Sequence, residues 1–153
     1  MDIPDLISPD AVMADLKATS KKQVLQLLAA KAAQLTELEE RDIFTVLFER
    51  ERLGTTGVGQ GVAIPHGKLP ALERIIGVFA RLAKPVDFES IDGQPVDLIF
   101  LLLAPDNAGA DHLKALARIS RLLRDKATCD KLRGTKDSDA LYALLAASQA
   151  NAA

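Results

Sequence analysis

The chain has no tryptophan, a single cysteine (Cys129) and only two histidines among 153 residues. A lone cysteine cannot close an internal disulfide, so the core must hold the fold. Long apolar runs are also missing. The longest without a polar side-chain atom, from Leu98 to Ala104, falls far short of the ~20 residues that cross a bilayer, which excludes membrane insertion and transport by this chain alone. No basic run is longer than Lys21 and Lys22, and the formal net charge is -2. That balance offers no footprint for nucleic acid or an anionic membrane. Asp2, Asp5 and Asp10 do not fit the basic and apolar regions of a secretory signal, so a cytoplasmic location is expected. No internal repeat, low-complexity tract or linker divides the sequence.

What is present suits a globular domain: 48% hydrophobic and 26% charged residues, at a length that fits one domain. After an irregular opening around Pro4 and Pro9, Ser20 and Gln23 have capping-box spacing. Val24, Leu25, Leu28, Ala32 and Leu35 then recur at helical intervals. A second helix is expected over 39–53, stopped by Gly54. On it, Ile43 and Leu47 lie on a buried stripe, and the spacing turns Arg50 inward near the helix end. An inward guanidinium needs an anionic partner, either an ordinary salt bridge or a bound anion.

A Gly-rich turn over 55–61 leads into a strand over 62–64 that is expected to end at Pro65. Further strands are expected over 75–83 and 96–104, the second buried on both faces, with Pro85 and Pro95 bracketing an irregular stretch. A helix over 110–126 with Leu113, Leu116, Ala117 and Leu123 on one face, a short segment over 128–132 and a last helix over 137–148 follow. The final residues, 151–153, are expected to fray. Interleaved helices and strands predict an α/β layer fold, with a small mixed parallel and antiparallel sheet flanked by helices on both faces.

His66 stands between Pro65, which stiffens the chain, and Gly67, which has no side chain to block an incoming group. His112 falls in the first turn of the helix after the buried strand, where the helix dipole favours a neutral ring and free amides favour an anion. Both histidines suit one crevice at the strand ends. Each also has a plainer reading, as a bonded turn residue or a solvated helix-start residue. Competing chemistries fit less well. Gly57, Gly59 and Gly61 lack the full dinucleotide fingerprint, and Gly61 with Gly67 and Lys68 misses the phosphate-binding loop by one residue and by its Ser/Thr. A zinc site from His66, His112 and Asp111 lacks both an HxxxH pair and a cysteine pair. No nucleophile elbow is present, and Cys129 reads as a packing residue. No cofactor and no metal are expected.

The segment Arg50-Glu51-Arg52-Leu53-Gly54-Thr55-Thr56-Gly57-Val58-Gly59-Gln60-Gly61-Val62-Ala63-Ile64-Pro65-His66-Gly67-Lys68 resembles the enzyme IIA component of the mannitol/fructose class of the bacterial phosphotransferase system. It is most similar to the nitrogen-regulatory branch. The likeness covers nearly the whole chain, as one domain over 1–153 with a core of about 6–148. It implies that His66 accepts a phosphoryl group from a histidine-containing phosphocarrier protein, and that His112 and Arg50 assist at the phosphate. It also implies a mainly regulatory phosphoprotein whose targets are proteins such as sensor kinases or potassium transport components. The alternative is a relay to a IIB domain in fructose- or mannitol-type uptake.

Overall fold

Apolar residues at helical and at alternating spacing divide the chain into six helices and six strands among the described residues. In the computed structural model, which describes residues 2–150, the chain runs through α1 (Ile3–Leu6), a 3-10 turn (Pro9–Ala11), β1 (Val12–Leu16), α2 (Lys21–Thr36) and α3 (Glu40–Leu53). Then come β2 (Gly57–Gly59), β3 (Val62–Ala63), β4 (His66–Leu69), β5 (Ile76–Val86) and β6 (Val96–Pro105). α4 (Ala110–Arg124), α5 (Lys126–Arg133) and α6 (Ser138–Ala150) complete it. The expected fraying of 151–153 lies outside the described residues.

The longest apolar run sits at the centre of the sheet because β6 has neighbours on both edges and layers on both faces. The order is β1-β5-β6-β3-β2, with β4 also paired to β6. β1 and β5 are parallel, β5 and β6 antiparallel, and β3 and β4 both run parallel to β6. Phe79 and Phe100 face each other across β5 and β6 with ring centroids 6.3 Å apart, and both are fully buried. Helices α2 and α3 pack on each other and on β5 and β4, while α1, α4, α5 and α6 pack together against β1 and β6. This is the expected mixed sheet between two helical layers.

Several boundaries differ from expectation. The irregular opening contains α1 and the edge strand β1, whose Val12 and Leu16 are buried. Residues 55–61 are no mere turn. β2 and β3 form an antiparallel hairpin turning at Gln60 and Gly61, both with positive φ, the conformation that makes glycine suitable there. The strand beginning at Val62 stops before Pro65, as expected, but the chain stays alongside β6. Proline lacks an N–H but its carbonyl still accepts from Leu102 N at 2.9 Å, and pairing with β6 resumes at His66. β5 likewise continues through Pro85, where the register with β6 shifts and the missing donor is tolerated. Ser20 caps α2 as expected, accepting from Gln23 N at 3.1 Å, but the Gln23 side chain reaches Thr19 N at 2.7 Å and not Ser20.

Candidate active site

Side chains on a strand alternate between faces, and that alternation sets the site. Gly67 faces the α3 layer, where an added Cβ would overlap Cγ1 of Val46. Its neighbour His66 therefore faces the opposite layer, where α4 begins. The reason for glycine is the close approach of α3, and not, as the sequence suggested, an open flank for an incoming group.

His66 is half-buried and pairs with Leu102 near the carboxyl end of β6. Its Nδ1 lies 2.9 Å from the carbonyl oxygen of Ile64. A carbonyl can only accept, so Nδ1 carries the proton and Nε2 keeps a free lone pair.

His112 lies on the buried face of α4 with Ala115, Ile119, Leu122 and Leu123. The expected stripe was half right: Leu123 is buried and Leu116 packs against the core, but Leu113 is 67% exposed and Ala117 is exposed. His112, Ala115, Ile119 and Leu122 have equally good helical spacing, but the histidine masked it. The two imidazoles approach to 5.9 Å between centroids, tilted by 53°. The sheet and α4 thus bring together the two histidines across the intervening chain.

Burial, then His66, then Lys68, hold the His112 ring below the ordinary histidine value, so the neutral form is favoured. Its Nδ1 is sealed from solvent and has no hydrogen-bond partner among the described residues. A proton there would be a buried donor without an acceptor at the positive end of a helix, whereas a lone pair faces that positive end favourably. The proton then belongs on Nε2, where it is available as a donor. No side chain caps the first turn of α4, leaving its start open to an anion. Asp111, the third member of the zinc alternative, is exposed.

Arg50 is half-buried at the end of α3, and its Nη1 donates to the Gly54 carbonyl at 2.9 Å. The fully inward placement expected of it belongs to Glu51, which continues the stripe of Ile43 and Leu47 and is 8% exposed. No carboxylate among the described residues forms an ion pair with Arg50, so the ordinary salt bridge is not what occupies it. Its charge remains available to an anion. Glu51 and Lys68 are the residues that sequence reasoning passed over. Glu51 carried a signal, standing four residues after Leu47 on the buried stripe. Cys129 is buried, with its thiol donating to the Leu123 carbonyl, and burial pushes its pKa up.

The structure thus brings together one ring with an open nitrogen and a second ring beside it, while Arg50 stands at the end of α3 against the Gly54 carbonyl. A family model described as "Phosphoenolpyruvate-dependent sugar phosphotransferase system, EIIA 2" matches residues 5–148. The chain is 65% identical over 153 residues to the nitrogen regulatory protein of Bradyrhizobium diazoefficiens, covering all of both chains. The crystal structure of nitrogen regulatory protein IIA-Ntr from Neisseria meningitidis superposes with a TM-score of 0.89 at 35% identity, over 94% of this chain and 98% of that one. The complex of enzyme IIA mannitol with phosphorylated IIB mannitol from Escherichia coli gives a TM-score of 0.78 at 20% identity, over 93% of this chain and 99% of the matched one, and shares the fold. With the family's pattern running through nearly all of its length, the chain belongs to the EIIA 2 family and is a component of the phosphoenolpyruvate-dependent sugar phosphotransferase system.

Proposed function

We propose that this chain accepts a phosphoryl group on Nε2 of His66 from a histidine-containing phosphocarrier protein and serves mainly as a regulatory phosphoprotein of the cytoplasm. The observation that carries this is the hydrogen bond from His66 Nδ1 to Ile64 O, which commits one nitrogen to the backbone and leaves the other as nucleophile. The Nε2 lone pair forms the new N–P bond as the donor's N–P bond breaks, and the departing electron pair returns to the donor nitrogen. The proton stays on His66 Nδ1, donated in a hydrogen bond to the Ile64 carbonyl. Catalysis of such a transfer is positioning plus stabilisation of the phosphoryl oxygens. His112 Nε2–H and the Arg50 guanidinium supply the stabilisation, as a neutral donor and a charged planar fork. Leu113, exposed beside His112, offers apolar surface suited to a protein donor rather than a small molecule.

Regulation is favoured because the chain is similar over its full length to a protein named for nitrogen regulation. Its targets are then proteins such as sensor kinases or potassium transport components, read through the charge on His66. The second reading, a relay to a IIB domain for sugar uptake, is supported by the fold shared with the mannitol IIA seen with its IIB. Incubation with labelled phosphoenolpyruvate, enzyme I and the carrier protein tests the acceptor. Wild type takes acid-labile label and His66→Ala takes none; undiminished labelling of the variant sinks the assignment. Passage of the label to an added IIB domain would favour the relay.

A further inference from the structure

A carboxylate is an expensive group to place on the buried stripe of a helix, since its desolvation is offset only by good partners. An apolar residue after Ile43 and Leu47 would serve packing alone. Glu51 has partners on both oxygens: Oε1 accepts from Thr56 N at 3.0 Å and lies 3.0 Å from Lys21 Nζ, while Oε2 accepts from Thr56 Oγ1. Thr56 is itself buried, and Glu51 holds it through both main chain and side chain.

What Thr56 does next leads to the histidine. Its carbonyl accepts from Ile64 N at 3.0 Å, and the Ile64 carbonyl accepts from His66 Nδ1 at 2.9 Å. Pro65 follows Ile64 and has no N–H of its own to anchor that stretch. We propose that Glu51 is a positioning residue for His66: by clamping Thr56 it fixes the Ile64 peptide, and so keeps the imidazole in the Nδ1–H form with Nε2 free. The effect is geometric. The consecutive bonds do not run through the same peptide units, so position is passed along the chain of contacts and not charge.

The inference rests on the reading of His66 as phosphoryl acceptor only for its consequence, since the tautomer can be measured without any transfer. The experiment compares the imidazole nitrogen shifts of His66 by NMR in wild type, Glu51→Leu, Thr56→Val and Thr56→Ser, each with its fold checked by the amide spectrum. Wild type shows the Nδ1–H form. Glu51→Leu and Thr56→Val lose that preference and admit the Nε2–H form, and Thr56→Ser, which restores the hydroxyl, restores it. With the phosphorylated carrier, the same two variants slow transfer by roughly ten- to a hundredfold, as small misplacements of a reacting group do, with the apparent affinity for the carrier unchanged. If Glu51→Leu does not fold, the Thr56 pair decides.

An unchanged tautomer in folded Glu51→Leu, or in Thr56→Val where Glu51→Leu does not fold, overturns the inference. A fall in carrier affinity with no change in tautomer also overturns it, by showing a surface effect. Absence of label from wild type would overturn the acceptor reading, while the shifts would still decide what Glu51 holds.

Discussion

Gly67 and Val46 share a space that admits only one side chain: a Cβ on Gly67 would overlap Cγ1 of Val46. That contact presses α3 onto β4 and turns His66 to the far face. Gly67→Ala is expected to cost about 1–3 kcal/mol in denaturant unfolding, the range for overpacking a tight site. Pairing it with Val46→Ala should recover part of the loss. Strict additivity in that double-mutant cycle would show that the two sites do not touch.

On the proposed reading, loss of the His112 ring removes one positioned donor. His112→Ala should take label from the phosphorylated carrier more slowly by roughly 10²–10³, the effect of about 2.7–4 kcal/mol in a shielded site. A full time course separates the cases. No label at all would make His112 a required acceptor, and an unchanged rate would make it only a helix-start residue.

The lowered pKa of His112 sets the sign of a pH effect. Above the unfolded value of about 6.5 both states are neutral and the residue contributes nothing to pH dependence. As pH falls through that value, the unfolded chain takes a proton that the folded ring resists, so stability falls until the lowered folded pKa is passed. Unfolding free energies measured between about pH 7.5 and 5.5 should decline less steeply for His112→Gln than for wild type. Equal slopes would place the ring in ordinary solvent.

Arg50→Lys keeps the charge but not the planar fork. Loss of one charge-assisted bond, about 1.5 kcal/mol or more, should slow transfer by about tenfold while leaving the unfolding midpoint unchanged. A rate equal to wild type would remove Arg50 from the site.

Arg133 ties α5 to the sheet. It pairs with Asp97 at 2.9 Å, donates to the Gln60 carbonyl at 2.7 Å, and its own carbonyl accepts from Arg81 at 2.9 and 2.8 Å. Asp97→Ala should cost about 1–3 kcal/mol by stranding a partly buried charge. Asp97→Ala combined with Arg133→Met should cost less than the two single changes together, by thermal or denaturant unfolding.

The long elements were legible because their apolar spacing is strong: α2, α3 and β6 lie where the pattern puts them. β1 was not, since Val12 to Leu16 includes Asp15 and follows two prolines, leaving too short a pattern to separate from loop. The α4 stripe was misread because leucine outranks histidine as a core residue, although the helix buries His112 and exposes Leu113. That His66 and His112 share one crevice was legible from their places at a strand end and a helix start. The free nitrogen of His66 was not, because the Ile64 carbonyl that selects it is aimed by backbone bonds that leave no mark in residue type. Glu51 was hidden for a similar reason: a charged residue on an apolar stripe looks like a break in the pattern until its partners are seen.

The parallel pairing of β4 with β6 also governs when the protein becomes competent as it is made. His66 leaves the ribosome well before Leu102, its strand partner, and before the helix that carries His112. Between them lies β5, which must pair antiparallel with β6 in the same sheet. Such non-local pairing forms slowly compared with local helices. A nascent chain that already displays the histidine motif therefore lacks the paired rings, and the site is first complete in a molecule whose synthesis has passed α4.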